Sequence, residues 1–105
     1  MTDCIFCKII NGEFGTEFVY EDKDTVVFKD INPKANIHLL VVPKIHVESL
    51  NELDDVELLG RLMNVVRTVT KQQGIKSYRT VINTGKDSGQ EVFHLHIHIL
   101  SGDIQ

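Results

Sequence analysis

Apolar and polar residues along the chain predict five strands and two helices. Residues 17–21, EFVYE, and 25–29, TVVFK, are rich in β-branched and aromatic side chains. The charged EDKD between them reads as a hairpin turn. DINPKAN, residues 30–36, is loop-like, and IHLLVV, residues 37–42, predicts a buried strand ended by Pro43. YRTVIN at 78–83 and VFHLHIHIL at 92–100 predict two further strands, with a glycine-bearing loop between them.

The helical pattern has a longer period. Asp3 precedes Cys4, Phe6, Cys7, Ile9 and Ile10, and Asn11-Gly12 follows, which predicts a short capped helix with a glycine stop. Asp54, with Glu57 three residues later, has the pattern of a capping box opening a long helix that Gly74 closes. Its apolar positions are Val56, Leu58, Leu59, Leu62, Met63, Val65, Val66 and Val69. They cover about half the circumference, wider than the roughly 100° stripe that one core contact needs. Two readings stay open: a helix under a sheet edge or loop, or a second apolar face for a subunit contact. Short turns between strands favour an antiparallel sheet with helices on one face, an α+β fold, in one domain spanning residues 1–105.

Composition narrows the partners. Of the 105 residues 42% are hydrophobic and 25% charged, ordinary for a globular protein. The net charge is −4 and no Lys/Arg run occurs, which disfavours a nucleic-acid partner. A small anion is still accessible to backbone N–H groups. The longest apolar run, Leu39–Val42, is far short of the roughly 20 residues of a membrane span. The N-terminus has no basic-then-apolar signal pattern, so a cytoplasmic location is expected. Cys4 and Cys7, in a reducing compartment, point to metal or redox chemistry more than to a structural disulfide.

Three of the five histidines stand in HLHIH, residues 94–98. On a strand His94, His96 and His98 share one face, while Leu95, Ile97 and Ile99 share the other and go to the core. Neighbouring imidazoles are then roughly 6.6 Å apart along the strand. The face is either a solvated edge, a metal site built from two of the three, or a catalytic array in which the middle imidazole attacks and its neighbours bind substrate and move protons. INTGKDSGQ, residues 82–90, lies just upstream. It lacks the GxxxxGK[ST] spacing of a Walker A loop, but its glycines can aim backbone N–H groups at a phosphate.

HLHIHIL fits His-φ-His-φ-His-φ-φ, where φ is apolar, and so resembles the signature of the histidine-triad (HIT) family of nucleotide hydrolases and transferases. CIFCKIINGEF, VFKDINPKANIHLLVVPKIHV and GQEVFHLHIHIL resemble three blocks of that family. The branch they resemble most is the small nucleoside phosphoramidases, the histidine-triad nucleotide-binding proteins.

The resemblance implies a five-stranded antiparallel sheet with two helices, paired in a homodimer into one ten-stranded sheet. It implies hydrolysis of purine nucleoside 5′-phosphoramidates through a nucleotidyl-histidine on His96. His98 would bind phosphate and handle protons, with His94 and His38 as supports. Asn83, Gly89, Gln90 and Val92 would lie on the phosphate side. Phe6, Ile9, Phe28, Asp30 and Ile31 would form the nucleoside pocket, with Asp30 on the ribose. Glu91 stands where many relatives carry a serine that touches phosphate, and is expected to face elsewhere. Other readings are a nucleotide-binding adaptor with incidental turnover, a dinucleoside polyphosphate hydrolase and a zinc-dependent hydrolase. No cofactor is expected in catalysis. The Cys-x-x-Cys spacing suits half of a zinc site, and with His46 and His94 it resembles the structural zinc of some relatives.

Overall fold

A computed structural model describes residues 3–104. The Asp22 carboxylate turns the first hairpin. Its Oδ1 accepts from the N–H groups of Asp24 and Thr25, both at 2.9 Å, the local bond that makes aspartate a turn former. The hairpin joins β1 (Tyr20–Glu21) to β2 (Thr25–Lys29). β1 is shorter than the expected 17–21, although Val19 N–H still donates to the Val27 carbonyl at 2.7 Å. β3 is Ile37–Pro43, β4 Arg79–Val81 and β5 Ile97–Ser101. The order is β1-β2-β3-β5-β4, and every neighbouring pair is antiparallel.

β5 begins five residues later than the expected residue 92. In the β3–β5 register Val41 faces Ile97, so the next outward facing positions would be Pro43 and Leu95. Proline has no N–H to give the ladder. Leu95 instead donates its N–H to the Val47 carbonyl at 2.8 Å. His94 and His96 therefore precede the ladder, yet the alternation survives: Leu95, Ile97 and Ile99 all enter one core.

The helices cover both faces of the sheet rather than one. α2 (Val56–Gln72) lays Leu58, Leu62, Val65, Val66 and Val69 on Val27, Leu39, Val41, Ile97 and Ile99. α1 (Ile5–Ile10) brings Phe6, with Ile9 and Ile10, against Val26, Phe28, Leu40 and Val42. IHLLVV is apolar at successive positions because both faces of β3 are covered. The caps also shift by one residue. The Cys4 sulfur, not Asp3, accepts from Cys7 N–H at 3.3 Å. Asp55, not Asp54, caps α2 by accepting from Leu58 N–H at 3.0 Å, so the expected Asp54–Glu57 box does not open the helix. Val56 and Met63, part of the wide apolar stripe, are exposed.

Candidate active site

The β3–β5 register sets His38 opposite Leu100 and His98 opposite Leu40. The two histidines are thus diagonal neighbours on one face, within reach of each other. His38 Nε2 lies 2.8 Å from His98 Nδ1. Hydrogen-bond partners then assign each ring its tautomer. Lys34 N–H donates to His38 Nδ1 at 3.0 Å, so the proton of neutral His38 is on Nε2. That proton is given to His98 Nδ1, which leaves the His98 proton on Nε2. His98 Nε2 is buried and has no hydrogen-bond partner among the described residues. It is a donor without an acceptor.

His96 is fixed the other way. Its Nδ1 lies 2.7 Å from the His94 carbonyl. Nδ1 therefore carries the proton and Nε2 carries an unprotonated lone pair. Phe6 meets the ring edge-on at 4.9 Å between centroids, and His98 lies at the same separation on another side. Burial lowers the proton affinity of His38, His94 and His96 below the ordinary imidazole value. His98 falls to about 4, first through burial and then through the neighbouring His96 and His38. The Asp30 charge opposes the shift in His38, His96 and His98. At neutral pH these rings are uncharged.

His96 and His98 open into a cleft of about 290 Å³, near the lower end of the roughly 300–1,000 Å³ of small-molecule sites. Its lining includes the apolar Phe6, Ile9, Phe28 and Ile31, the carboxylate of Asp30, and Asn83, Gly89 and Val92, with Val92 packed against the Phe6–Phe28 cluster. Ile31 is 89% exposed and stands clear of the core, whereas Phe6 and Phe28 belong to it. Thr16 and Asn32 also line the cleft, and no spacing or composition signal in the sequence pointed to either. Nor did the sequence indicate the Lys34 N–H or the Pro43 carbonyl, because backbone groups leave no trace in residue identity.

Several expected site residues stand elsewhere. Gln90 does not line the cleft. It is buried, its Oε1 accepts from Gly85 N–H at 2.9 Å, and its Nε2 donates to the Glu48 and Val92 carbonyls at 2.7 and 3.1 Å. It ties the loop together from below. Gly85 and Gly89 have φ of +93° and +98°, where a side chain would be strained. Glu91, expected to face elsewhere, does line the cleft, on a ridge shared with a neighbouring hollow. Gln90 turns inward, and that turns the next residue out. His38 and His94 lie behind the cleft lining.

His94 belongs to a second cluster. Its Nε2 donates to the Pro43 carbonyl at 2.8 Å, so Nδ1 presents a lone pair. That Nδ1 is 3.2 Å from Cys4 Sγ, 3.6 Å from Cys7 Sγ and 3.2 Å from His46 Nδ1; Cys7 Sγ is 3.5 Å from His46 Nδ1. Bonds of about 2.3 Å to sulfur and about 2.05 Å to nitrogen give a tetrahedron edges of roughly 3.3–3.8 Å. The four donors fit one tetrahedral metal ion. In the protein without metal, burial first and then Cys4 push the Cys7 thiol up to about 11. Asp30, His38 and His98 also converge, but they do not fit a metal. The Lys34 N–H occupies His38 Nδ1 and keeps the proton on Nε2, the atom that would have to ligate.

Comparisons with known proteins identify the family of the fold. The family described as "Scavenger mRNA decapping enzyme C-term binding" matches residues 3–105. Protein HitA of Neisseria gonorrhoeae is 50% identical, over 95% of this chain and 96% of that protein. A histidine triad protein from Clostridium difficile superposes with a TM-score of 0.91 at 44% identity, covering 97% of this chain and 92% of that one. A HIT family hydrolase from Legionella pneumophila gives 0.89 at 39% identity, covering 95% and 93%. The chain belongs to the histidine-triad family.

Proposed function

We propose that the protein is a nucleotide-binding hydrolase that cleaves purine nucleoside 5′-phosphoramidates, or related nucleotidyl conjugates, through a covalent intermediate on His96. The observation that carries this reading is a pair of adjacent rings: His96, whose Nδ1 bond to the His94 carbonyl leaves Nε2 its lone pair, and His98, whose buried Nε2–H has no partner among the described residues. The solved relative named a HIT family hydrolase supports it. The base would lie against the apolar wall of Phe6, Ile9, Phe28 and Ile31 with Asp30 on the ribose, and the phosphate would sit near Asn83, Gly89 and His98.

The chemistry then follows in two displacements. The His96 Nε2 lone pair forms a bond to phosphorus, and the phosphorus–nitrogen bond breaks toward the leaving amine. The arriving phosphoryl charge favours protonation of the coupled His38–His98 pair beside Asp30. The amine takes that proton as it leaves. Water next attacks phosphorus and returns a proton to the pair. The bond to His96 breaks, releasing the nucleoside monophosphate and restoring the neutral ring. Donors around the phosphate stabilise the charge of each transition state.

Zinc is the ion we assign to Cys4, Cys7, His46 and His94, in a structural role, since four protein donors leave no open position. Reduced thiols there fit a cytoplasmic location. We assign a homodimer as well, joined through α2 and the edge strand β4. Exposed Val56 and Met63 on α2 and the outer position of β4 in the sheet support it, and size-exclusion with light scattering checks it.

The test of the main reading incubates the protein and His96→Ala with adenosine 5′-phosphoramidate and follows AMP. Release by the parent and not by the variant is expected. No release from either, with AMP still bound, would leave a binding module instead.

A further inference from the structure

We propose that Cys4 and Cys7 are a redox-sensitive clamp on the nucleotide cleft: as thiolates on the metal they hold α1 against it, and their oxidation to a disulfide releases the metal and weakens nucleotide binding. The inference rests on the zinc assignment and the nucleotide-binding reading above, and adds a link between them. α1 serves both sites at once. Phe6 stands between the two cysteines in the chain. Its ring meets Phe28 at 5.6 Å, His94 at 5.9 Å and His96 at 4.9 Å between centroids, and Ile5, Phe6 and Ile9 line the cleft. A helix of six residues is far below the length that holds together alone. It is kept in place by its apolar contacts with β2 and β3 and by the two sulfurs gathered with His46 and His94. His94 is a second link: its ring belongs to the cluster, and its carbonyl accepts the His96 Nδ1–H at 2.7 Å.

The pair is placed for oxidation. Both cysteines are half-buried, and Cys4 and His46 line an open surface hollow of about 410 Å³ that admits a small oxidant. The two sulfurs lie within 4.8 Å of each other, on residues three apart, whose side chains are neighbours on a helical turn. The thiolate is both the metal ligand and the nucleophile. With a peroxide as oxidant, one thiolate attacks oxygen; the S–O bond forms, the O–O bond breaks and water leaves. The second thiolate attacks that sulfur; the S–S bond forms, the S–O bond breaks and a second water leaves. The two sulfurs lose two electrons, the peroxide gains them, and two protons from solvent complete the waters. A disulfide offers no thiolate, so His46 and His94 remain as half of the donor set, too few to retain a tetrahedral ion.

The experiment treats the purified, zinc-loaded protein with hydrogen peroxide. It follows released zinc with a chromogenic chelator, the Cys4–Cys7 disulfide by peptide mass, folding by circular dichroism and the Kd for AMP by calorimetry. Disulfide formation and zinc release should run in parallel, and the Kd should rise by about threefold to tenfold, the worth of one aromatic contact. Reduction by a phosphine with zinc present should restore the Kd; reduction with a chelator present should not. Phe6→Leu should bind AMP more weakly at the start and respond less to oxidation, since the two changes act through one contact. An equal response in Phe6→Leu would overturn the route through Phe6. Zinc lost with an unchanged Kd would overturn the clamp, as would free thiols and retained zinc after peroxide, or unfolding of the oxidised chain at the assay temperature. Protein that takes up no zinc would overturn the zinc assignment, and loaded protein that binds no AMP the nucleotide reading; the clamp falls with either. None of these readouts depends on turnover, so failure of the hydrolase reading is told apart from failure of the clamp.

Discussion

Two histidine clusters meet at His94, and they handle protons in opposite ways. In the His38–His98 pair each ring proton has an assigned acceptor, except the one on His98 Nε2. In the cluster of Cys4, Cys7, His46 and His94, four donor atoms converge within reach of one another. The first arrangement is complete apart from that one donor. The second is a donor set that a cation at its centre would complete. The lesson is that convergence of histidines does not itself define a metal site. The N–H already resting on the far side of the ring decides, and Lys34 supplies one for His38 whereas His94 faces a carbonyl.

The largest expected effect breaks the catalytic half alone. His96→Ala should lower AMP release by about 10³-fold or more while thermal unfolding stays near the parent, because the ring fills cleft wall rather than deep core. His98→Ala should fall by about 10²–10⁴-fold in single-turnover measurements. The metal half breaks in the other order. Cys7→Ser, or chelation, should remove bound zinc by elemental analysis and lower Tm by on the order of 10 °C. A loss of turnover as deep as that of His96→Ala, with unchanged Tm, would contradict the structural role.

The remaining predictions are smaller. Gln90→Ala removes three buried hydrogen bonds and should cost about 1–3 kcal/mol in urea unfolding. His98 titrates near 4 in the folded chain and near the ordinary 6.5 when unfolded. Between those values the unfolded state binds more protons, so stability falls as pH drops below 6.5 and this contribution levels off below about 4. A parent and His98→Gln pair compared across that window by urea titration isolates it: the variant should lose less stability toward acid.

The sequence made the strands legible because TVVFK and IHLLVV are short apolar, β-branched runs bounded by turn formers, and the alternation in HLHIHIL placed Leu95, Ile97 and Ile99 in the core. It also grouped Cys4 and Cys7 with His46 and His94, which the fold brings together. What it missed has physical causes. The β5 start depends on an absent N–H in Pro43, an effect that acts across the sheet and not along the chain. Asp54 and Asp55 are equivalent as letters, and only packing of Leu58 selects the second. A helix on each face cannot be separated from two on one face when β3 is apolar throughout. Gln90 and Glu91 are both polar, and nothing in their order says which one turns inward.

The orientation of His96 rests on the His94 carbonyl, that of His94 on the Pro43 carbonyl, and that of His38 on the Lys34 amide. All three partners are main-chain groups, present whichever side chain occupies the position. A mutational scan would therefore record the rings and stay silent on what aims them. The alignment of this site is robust to point substitution in a way that a side-chain network would not be. Its natural probes are ring-nitrogen chemical shifts and amide-to-ester replacement at Lys34.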